Sequence, residues 1–264
     1  MHKSLFFRFI LPVTLLIFMQ GSFLFARGAR GPDTAELLIG AAASLTDVMQ
    51  ELAVIYQAQN PNIRLEFTFA SSGALQNQIM EGAPIDIFFS AAAAQMNNLE
   101  ARGLIHGGGR NLLRNSIALI VPINSRAEIS GFMDAASDAV QIIALGDPQS
   151  VPGGTRAKEA FTYLGIADKI YGAGRAVFAF DIRTVLTWVE MGEADAGVVF
   201  LTDAIASDRV RVAEIADSTW HAPSVNPIGI VKGSPNTAAA QRFIDFLFSD
   251  EASAVFVRHG FSMY

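Results

Sequence analysis

The sequence predicts an α/β protein of two lobes, each a mostly parallel sheet flanked by helices, with the chain crossing between the lobes twice. Three observations carry this reading. From Glu36 onward strand-like apolar runs alternate with amphipathic helix patterns, the rhythm of parallel strands covered by helices. The strongly apolar strand Ser116 to Val121 then stops at Pro122, and a second alternating series begins. Near the C-terminus, IGIVKGS reads as a strand returning to the first series. Lobe one is therefore expected over residues 29–114 and 226–264, lobe two over 115–225, with the two crossings acting as a hinge.

The elements follow in order. Residues 1–28 carry Lys3 and Arg8, an apolar run from Phe9 through Phe25, and the small residues Ala26 and Gly28. This is the pattern of a secretory signal peptide cut after Gly28. Gln20, Gly21 and Ser22 weaken the run as a membrane anchor, the alternative reading. Lobe one then reads ELLIGAA, a helix Leu45 to Gln57, RLEFTFA, a helix Ala74 to Glu81, DIFFSA and a helix Ala93 to Ala101. The glycine-rich segment His106 to Gly109 reads as a flexible turn near the hinge. Lobe two reads QIIALGDP, a helix Thr155 to Leu164, RAVFAFD, a helix Ile182 to Gly192, AGVVFLTDA and a strand Val210 to Ile215. The helix Thr237 to Phe248 and the tail to Tyr264 complete lobe one.

Composition excludes several classes. The 264 residues include no cysteine, which rules out disulfides, thiolate metal sites, a cysteine nucleophile and a lipidated N-terminal cysteine. The leader holds three of the 19 Lys and Arg and none of the 25 Asp and Glu, leaving 16 positive against 25 negative charges, a net −9. Such a chain is a poor partner for nucleic acid. Any anion it binds must be held by local donors.

Such donors are available at four places. Gly40 to Asp47 (GAAASLTD) and Phe69 to Ile79 (FASSGALQNQI) each join a strand-like run to a helix pattern in lobe one. In lobe two, Gly153-Gly154 opens a helix after the strand ending at Gly146, and Asp181 is an N-cap that leaves the Ile182 amide exposed. The first amides of a helix lack intrahelical acceptors and sit at the positive end of the macrodipole. Each turn alone reads as an ordinary cap. Four at strand ends, two per lobe, describe a cleft lined with amide donors.

The segments AAASLTDVMQEL, FASSGALQNQIMEGAPIDIFFSA, GDPQSVPGGTRAKEAF, DIRTVL, GVVFLTDA and the C-terminal RHGFSMY, in that order, resemble the periplasmic molybdate-binding proteins of bacterial ABC importers, the molybdate and tungstate solute-binding family. The resemblance spans nearly the whole chain after the leader. It implies the type II periplasmic binding protein fold and a monomeric receptor without cofactor or catalytic activity. It further implies that molybdate or tungstate is captured between the lobes in the periplasm and passed to an inner-membrane permease with its ATPase. It places the oxyanion on the hydroxyls of Ser44 and Ser72 and on the amides of Gly153 and Ile182. The tyrosine of the family falls on Phe200, which shapes the wall but cannot donate; water or Thr202 could take its place. Arg156 stands where the family often has tyrosine and is expected in solvent.

The chemistry agrees. Molybdate is a fully deprotonated dianion near neutral pH, so its site needs donors and no acceptor, whereas monohydrogen phosphate benefits from a carboxylate. Asp181 is expected to cap its own helix with its carboxylate turned from the ligand. Sulfate differs from molybdate only in size, so another tetrahedral oxyanion is the alternative ligand, and a non-transport sensor on the same fold is an alternative role. A serine esterase using His106-Gly107-Gly108-Gly109 lacks a Gly-x-Ser-x-Gly elbow, and only His106, His221 and His259 remain as bases after the leader. Gly172 to Val177 (GAGRAV) lacks the third glycine of a dinucleotide loop and reads as a turn. No histidine and carboxylate spacing suggests a protein-ligated metal, so molybdenum enters only as its oxyanion.

Overall fold

The computed structural model describes residues 34–172 and 174–264. The expected signal peptide, the first residues assigned to lobe one and Ala173 of GAGRAV lie outside them. Lobe one begins with β1 (Ala35–Ala42), α1 (Thr46–Gln59), β2 (Ile63–Ala70), α2 (Ser72–Met80), β3 (Ile87–Phe89), α3 (Ala93–Ala101) and β4 (Ile105–Asn115). Lobe two comprises β5 (Ile117–Pro122), β6 (Ile143–Gly146), α4 (Pro152–Tyr163), α5 (Ala167–Tyr171), β7 (Ala176–Ala179), α6 (Ile182–Glu190), β8 (Ala196–Phe200), α7 (Leu201–Ile205) and β9 (Val210–Ile215). The chain returns with β10 (Ser224–Val231), α8 (Thr237–Leu247), α9 (Asp250–Arg258) and the short β11 (Ser262–Met263).

Two sheets result, ordered β11-β4-β10-β3-β1-β2 and β7-β6-β8-β5-β9. Both are mixed, which corrects the expectation of mostly parallel sheets. β1 runs parallel to β2 and β3, and β6 parallel to β7 and β8, whereas β4, β5, β9 and β10 pair antiparallel. Apart from the short β11 on β4, these antiparallel strands are the ones that carry the chain into and out of the two crossings. There the chain turns back without the crossover helix that a parallel neighbour requires.

The period-2 alternation of strands divides the core of lobe one between two faces. Phe89, Leu37 and Ile39 face α1, α8 and α9 through Met49, Leu52, Phe243 and Phe256. Phe88, one residue away, faces α2 and α3 with Leu75, Ile79, Met96 and Leu99. In lobe two, α4 and α6 pack on β6 and β8 and bury Phe161, Val185 and Val189. The tail after α8 is not a simple extension: Ser249 caps a separate helix, its hydroxyl accepting the Ala252 amide at 3.2 Å.

The HGGG segment departs from the sequence reading. It belongs to β4 rather than to a turn at the hinge, and His106 pairs with Ile230 at the end of the strand away from the crossing at Asn115. Gly107 and Gly108 take φ values of +70° and +86°, and the extra residues are absorbed as a register shift opposite Ile228–Ile230. Gly109 lies against Met96, whose Cγ would be 2.7 Å from an added Cβ. Of GAGRAV, read as a turn, Gly172 caps the end of α5 and Ala176 and Val177 already belong to β7.

Two buried acids mark the two lobes. Asp86 ties β1 to the start of α8: its carboxylate accepts the Leu38 amide at 2.9 Å and the Ser234 hydroxyl at 2.5 Å. Asp203, on α7, is different. It is 1% exposed, neither oxygen has a hydrogen-bond partner among the described residues, and Arg183 Nε lies 3.1 Å from Oδ1 in an ion pair off hydrogen-bond alignment. Burial pushes its pKa from 3.8 up to about 7, against the opposing pull of Arg183, with Asp47 and Asp181 adding to the rise.

The folded value exceeds the unfolded one, so the stability Asp203 contributes is fully present below pH 3.8 and is lost as the pH rises through about 7. Thermal melts of the wild type and Asp203→Asn across that range test this. The wild type should lose melting temperature relative to the variant as the pH rises; parallel curves would contradict it.

Candidate functional site

A small cleft lies where the carboxyl ends of β1, β2, β6 and β8 meet. Its walls come from both lobes, with Ala43, Ser44, Ser71 and Ser72 on one side and Pro152, Ile182 and Phe200 on the other. The lobes touch around it. The 3-10 turn Ala43–Leu45 packs against α6, and the Gly73 amide donates to the Ser150 carbonyl at 3.1 Å. A Cβ at Gly73 would stand 2.5 Å from that oxygen, so this approach between the lobes requires glycine.

On the lobe-one side the two serine turns keep their donors free by different means. Ser44 sits inside the 3-10 turn, ahead of α1, and therefore caps nothing; the N-cap of α1 is Leu45. Its Oγ is buried and has no hydrogen-bond partner among the described residues. In the second turn the capping falls to Ser71, whose Oγ accepts the Ala74 amide at 3.3 Å. Ser72 Oγ accepts the Ala91 amide at 2.9 Å, leaving its own proton to donate. With the Gly73 and Ala74 amides committed, the Ser72 amide is the free one in that first turn.

On the lobe-two side the structure brings the three predicted positions into mutual contact. A Cβ on Gly153 would lie 2.7 Å from Ile182 Cδ1 and 3.5 Å from Phe200 Cε2. Gly154 serves another purpose, packing against the Gly146 carbonyl, 2.0 Å from where its Cβ would be. α4 has Pro at its first position and no side-chain cap, so the Gly153 amide has no intrahelical acceptor. α6 is capped by Asp181, which accepts the Thr184 amide at 2.8 Å through Oδ1 and the Thr184 hydroxyl at 3.0 Å through Oδ2. Both carboxylate oxygens thereby serve the helix start, and the Ile182 amide, at its first position, has no intrahelical acceptor. Phe200 is 2% exposed and forms wall.

Two expectations are corrected. Arg156 is not in solvent: its side chain is 12% exposed and bonds both oxygens of Glu159 at 2.7 Å. Glu159 in turn accepts the Ala222 amide in the second crossing, so the pair fastens α4 to the hinge. Thr202 does not line the cavity; it accepts a bond from Asn115 Nδ2 at 2.9 Å beside the first crossing. Sequence reasoning also missed Ser71, the Gly73–Ser150 contact and the Arg183–Asp47 ion pair, whose partners are 136 residues apart. The adjacent serines at 71 and 72 were visible, but division of labour between them depends on where the helix begins.

The arrangement can hold a small anion with hydroxyls and amides, and it offers no free carboxylate acceptor among the described lining residues. Known proteins with similar sequences include solute-binding proteins. The model of the bacterial extracellular solute-binding proteins matches residues 37–262. A chain named as an ABC transporter substrate-binding lipoprotein of Bacillus subtilis is 40% identical over 86% of this chain and 86% of its own length. The molybdate-binding protein of Haemophilus influenzae is 38% identical over 87% of this chain and 91% of its own. Among solved structures, a substrate-binding domain named for a molybdenum ABC transporter of Clostridium difficile is 36% identical, covering 87% of this chain and 99% of that one, with a TM-score of 0.67. The periplasmic molybdate-binding protein of Azotobacter vinelandii, at 24% identity and a TM-score of 0.78, shares the fold over 86% of this chain and 99% of that one. With two mixed α/β lobes, a donor-lined cleft between them and these relatives, the chain belongs to the family of bacterial extracellular solute-binding proteins.

Proposed function

We propose that this protein is an extracytoplasmic receptor that captures molybdate or tungstate between its lobes and delivers it to an ABC importer. The observation that carries the proposal is Ser44: a buried hydroxyl with no partner among the described residues, in a cavity lined also by Ser72, Pro152 and Ile182, with the helix-start amide of Gly153 next in sequence to Pro152. An unmet buried polar group is costly, and an oxyanion satisfies all four donors at once. Capture involves no covalent step, and molybdenum is held as its oxyanion rather than through metal-ligating side chains. The relatives named for molybdate support this ligand.

The donor set also bears on selectivity. Asp181, the carboxylate next to the Ile182 amide, is turned to Thr184 and is not among the lining residues, so the proton of monohydrogen phosphate gains no carboxylate acceptor from it. Phe200 leaves the wall without a hydroxyl at that point, which throws more of the binding onto Ser44 and Ser72. Four charge-assisted hydrogen bonds worth roughly 1.5 to 3 kcal/mol each exceed an association cost of roughly 4 kcal/mol. At the upper end of that range they reach the roughly −8 kcal/mol of micromolar binding. The ligand contacts both lobes and therefore favours the closed form, which is the form an importer can distinguish. The leader directs the chain out of the cytoplasm. It acts there as a monomer without a lipid on cysteine, since the sequence has none.

Titration calorimetry of the protein without residues 1–28 against molybdate, tungstate, sulfate and phosphate at matched salt should place the first two tightest. Tighter sulfate or phosphate binding would overturn the ligand assignment. Ser44→Ala should weaken molybdate binding by about 1 to 3 kcal/mol, roughly 5- to 150-fold, with little change in melting temperature because the hydroxyl bonds no protein group. Unchanged affinity would remove Ser44 from the site. Gly73→Ala places a methyl in the interface between the lobes. It should lower affinity while leaving the ligand-free melting temperature near that of the wild type; full affinity would mean that binding does not need this approach.

A further inference from the structure

Arg183 is the second residue of α6, next to the Ile182 amide at the cavity wall. Its guanidinium reaches two carboxylates on two lobes. Nε lies 3.1 Å from Asp203 of α7, within its own lobe, and Nη2 pairs with Asp47, in the first turn of α1 in the other lobe. Asp47 is three residues from Ser44, just as Asp203 is three residues from Phe200. Each partner therefore sits one helical turn from a wall of the cavity. Asp203 is buried, while Asp47 and Arg183 are part-exposed, so one end of the bridge is fixed inside lobe two and the other meets lobe one at the mouth of the cleft.

We propose that Arg183 is a closure latch, engaging Asp47 only when the lobes shut and setting how long the bound anion is retained. Because Asp203 already holds the guanidinium, little side-chain freedom is lost when Asp47 arrives, which is the usual cost of a part-exposed ion pair. The latch has an electrostatic part as well. Asp47, Asp181 and Asp203 act together on the same buried region, and Arg183 is the cation among them. Without it a dianion would be enclosed beside acidic groups only. Closure and ligand binding are then coupled, and each stabilises the other by the same amount. Arg183 touches no ligand donor itself; it is a positioning residue. The inference rests on the two-lobed receptor reading, though not on which oxyanion is bound.

The test is stopped-flow measurement of association and dissociation rates for the wild type, Arg183→Met, Arg183→Lys, Asp47→Asn and the Arg183→Met/Asp47→Asn double variant. Molybdate is the probe, or sulfate if calorimetry shows sulfate to bind more tightly, so that failure of the ligand assignment is separate from failure of the latch. Arg183→Met and Asp47→Asn should each speed dissociation by about tenfold with association changed far less, and the double variant should be no faster than the worse single one. Arg183→Lys should recover part of the slow dissociation. Raising the salt should speed dissociation in the wild type more than in Asp47→Asn. Single effects that multiply in the double variant, or a loss confined to association, would overturn the proposal. Melting temperatures of all variants identify any that fail to fold, and Asp47→Asn, on a part-exposed helix start, tests the same pair from the other lobe.

Discussion

Buried donors left without partners in the protein are what the rest of this structure is arranged around. A folded chain ordinarily satisfies nearly all its interior polar groups, and here the Ser44 hydroxyl has no partner among the described residues. Maintaining that state requires that neighbouring duties be discharged by other residues. Leu45 rather than Ser44 occupies the cap of α1, Ser71 rather than Ser72 caps α2, and Asp181 spends its carboxylate on Thr184. The donors face one another only because the carboxyl ends of strands from two separate sheets meet at the cleft. The mixed pairing of those sheets follows from the same need, since the chain must cross between the lobes twice.

Closure is a close-packed event rather than a loose approach. Backbone meets backbone at Gly73 and Ser150, and within lobe two Gly154 rests on the carbonyl of Gly146. Glycine in these places serves proximity, not turn geometry. The charged contacts are arranged likewise. Arg156 and Glu159 bind α4 to the second crossing, and Arg183 spans the lobes. A protein that is acidic overall can thus enclose an anion because helix-start dipoles converge where the lobes join and the acidic groups there are engaged by Arg183 and Arg156.

Much of the architecture was legible in the chain. Strand and helix runs of the right lengths, the break at Pro122 and the return strand were readable from periodicity. The helix Ala93–Ala101 and the strand Val210–Ile215 have the ends the pattern predicts. The HGGG segment was not legible, because three glycines carry no side-chain periodicity and a strand can absorb them as a register shift. The second C-terminal helix was missed because apolar periodicity runs on past Phe248, and the break depends on the Ser249 cap. For Arg156 the pattern could not reveal that pairing with Glu159 holds its side chain out of solvent.

The sequence by itself determined the chemistry of the protein: two series of strand and helix, four helix starts with small polar or glycine residues, no cysteine, and a net negative charge that leaves anion binding to local donors. Local backbone preference and capping rules are short-ranged, so they are written in contiguous residues. Tertiary structure alone decided which serine caps and which stays free, that Gly153, Ile182 and Phe200 form one wall, and that Asp47 meets Arg183. These outcomes depend on surfaces brought together across more than a hundred residues, where contact is set by how two lobes pack and no local pattern records the partner.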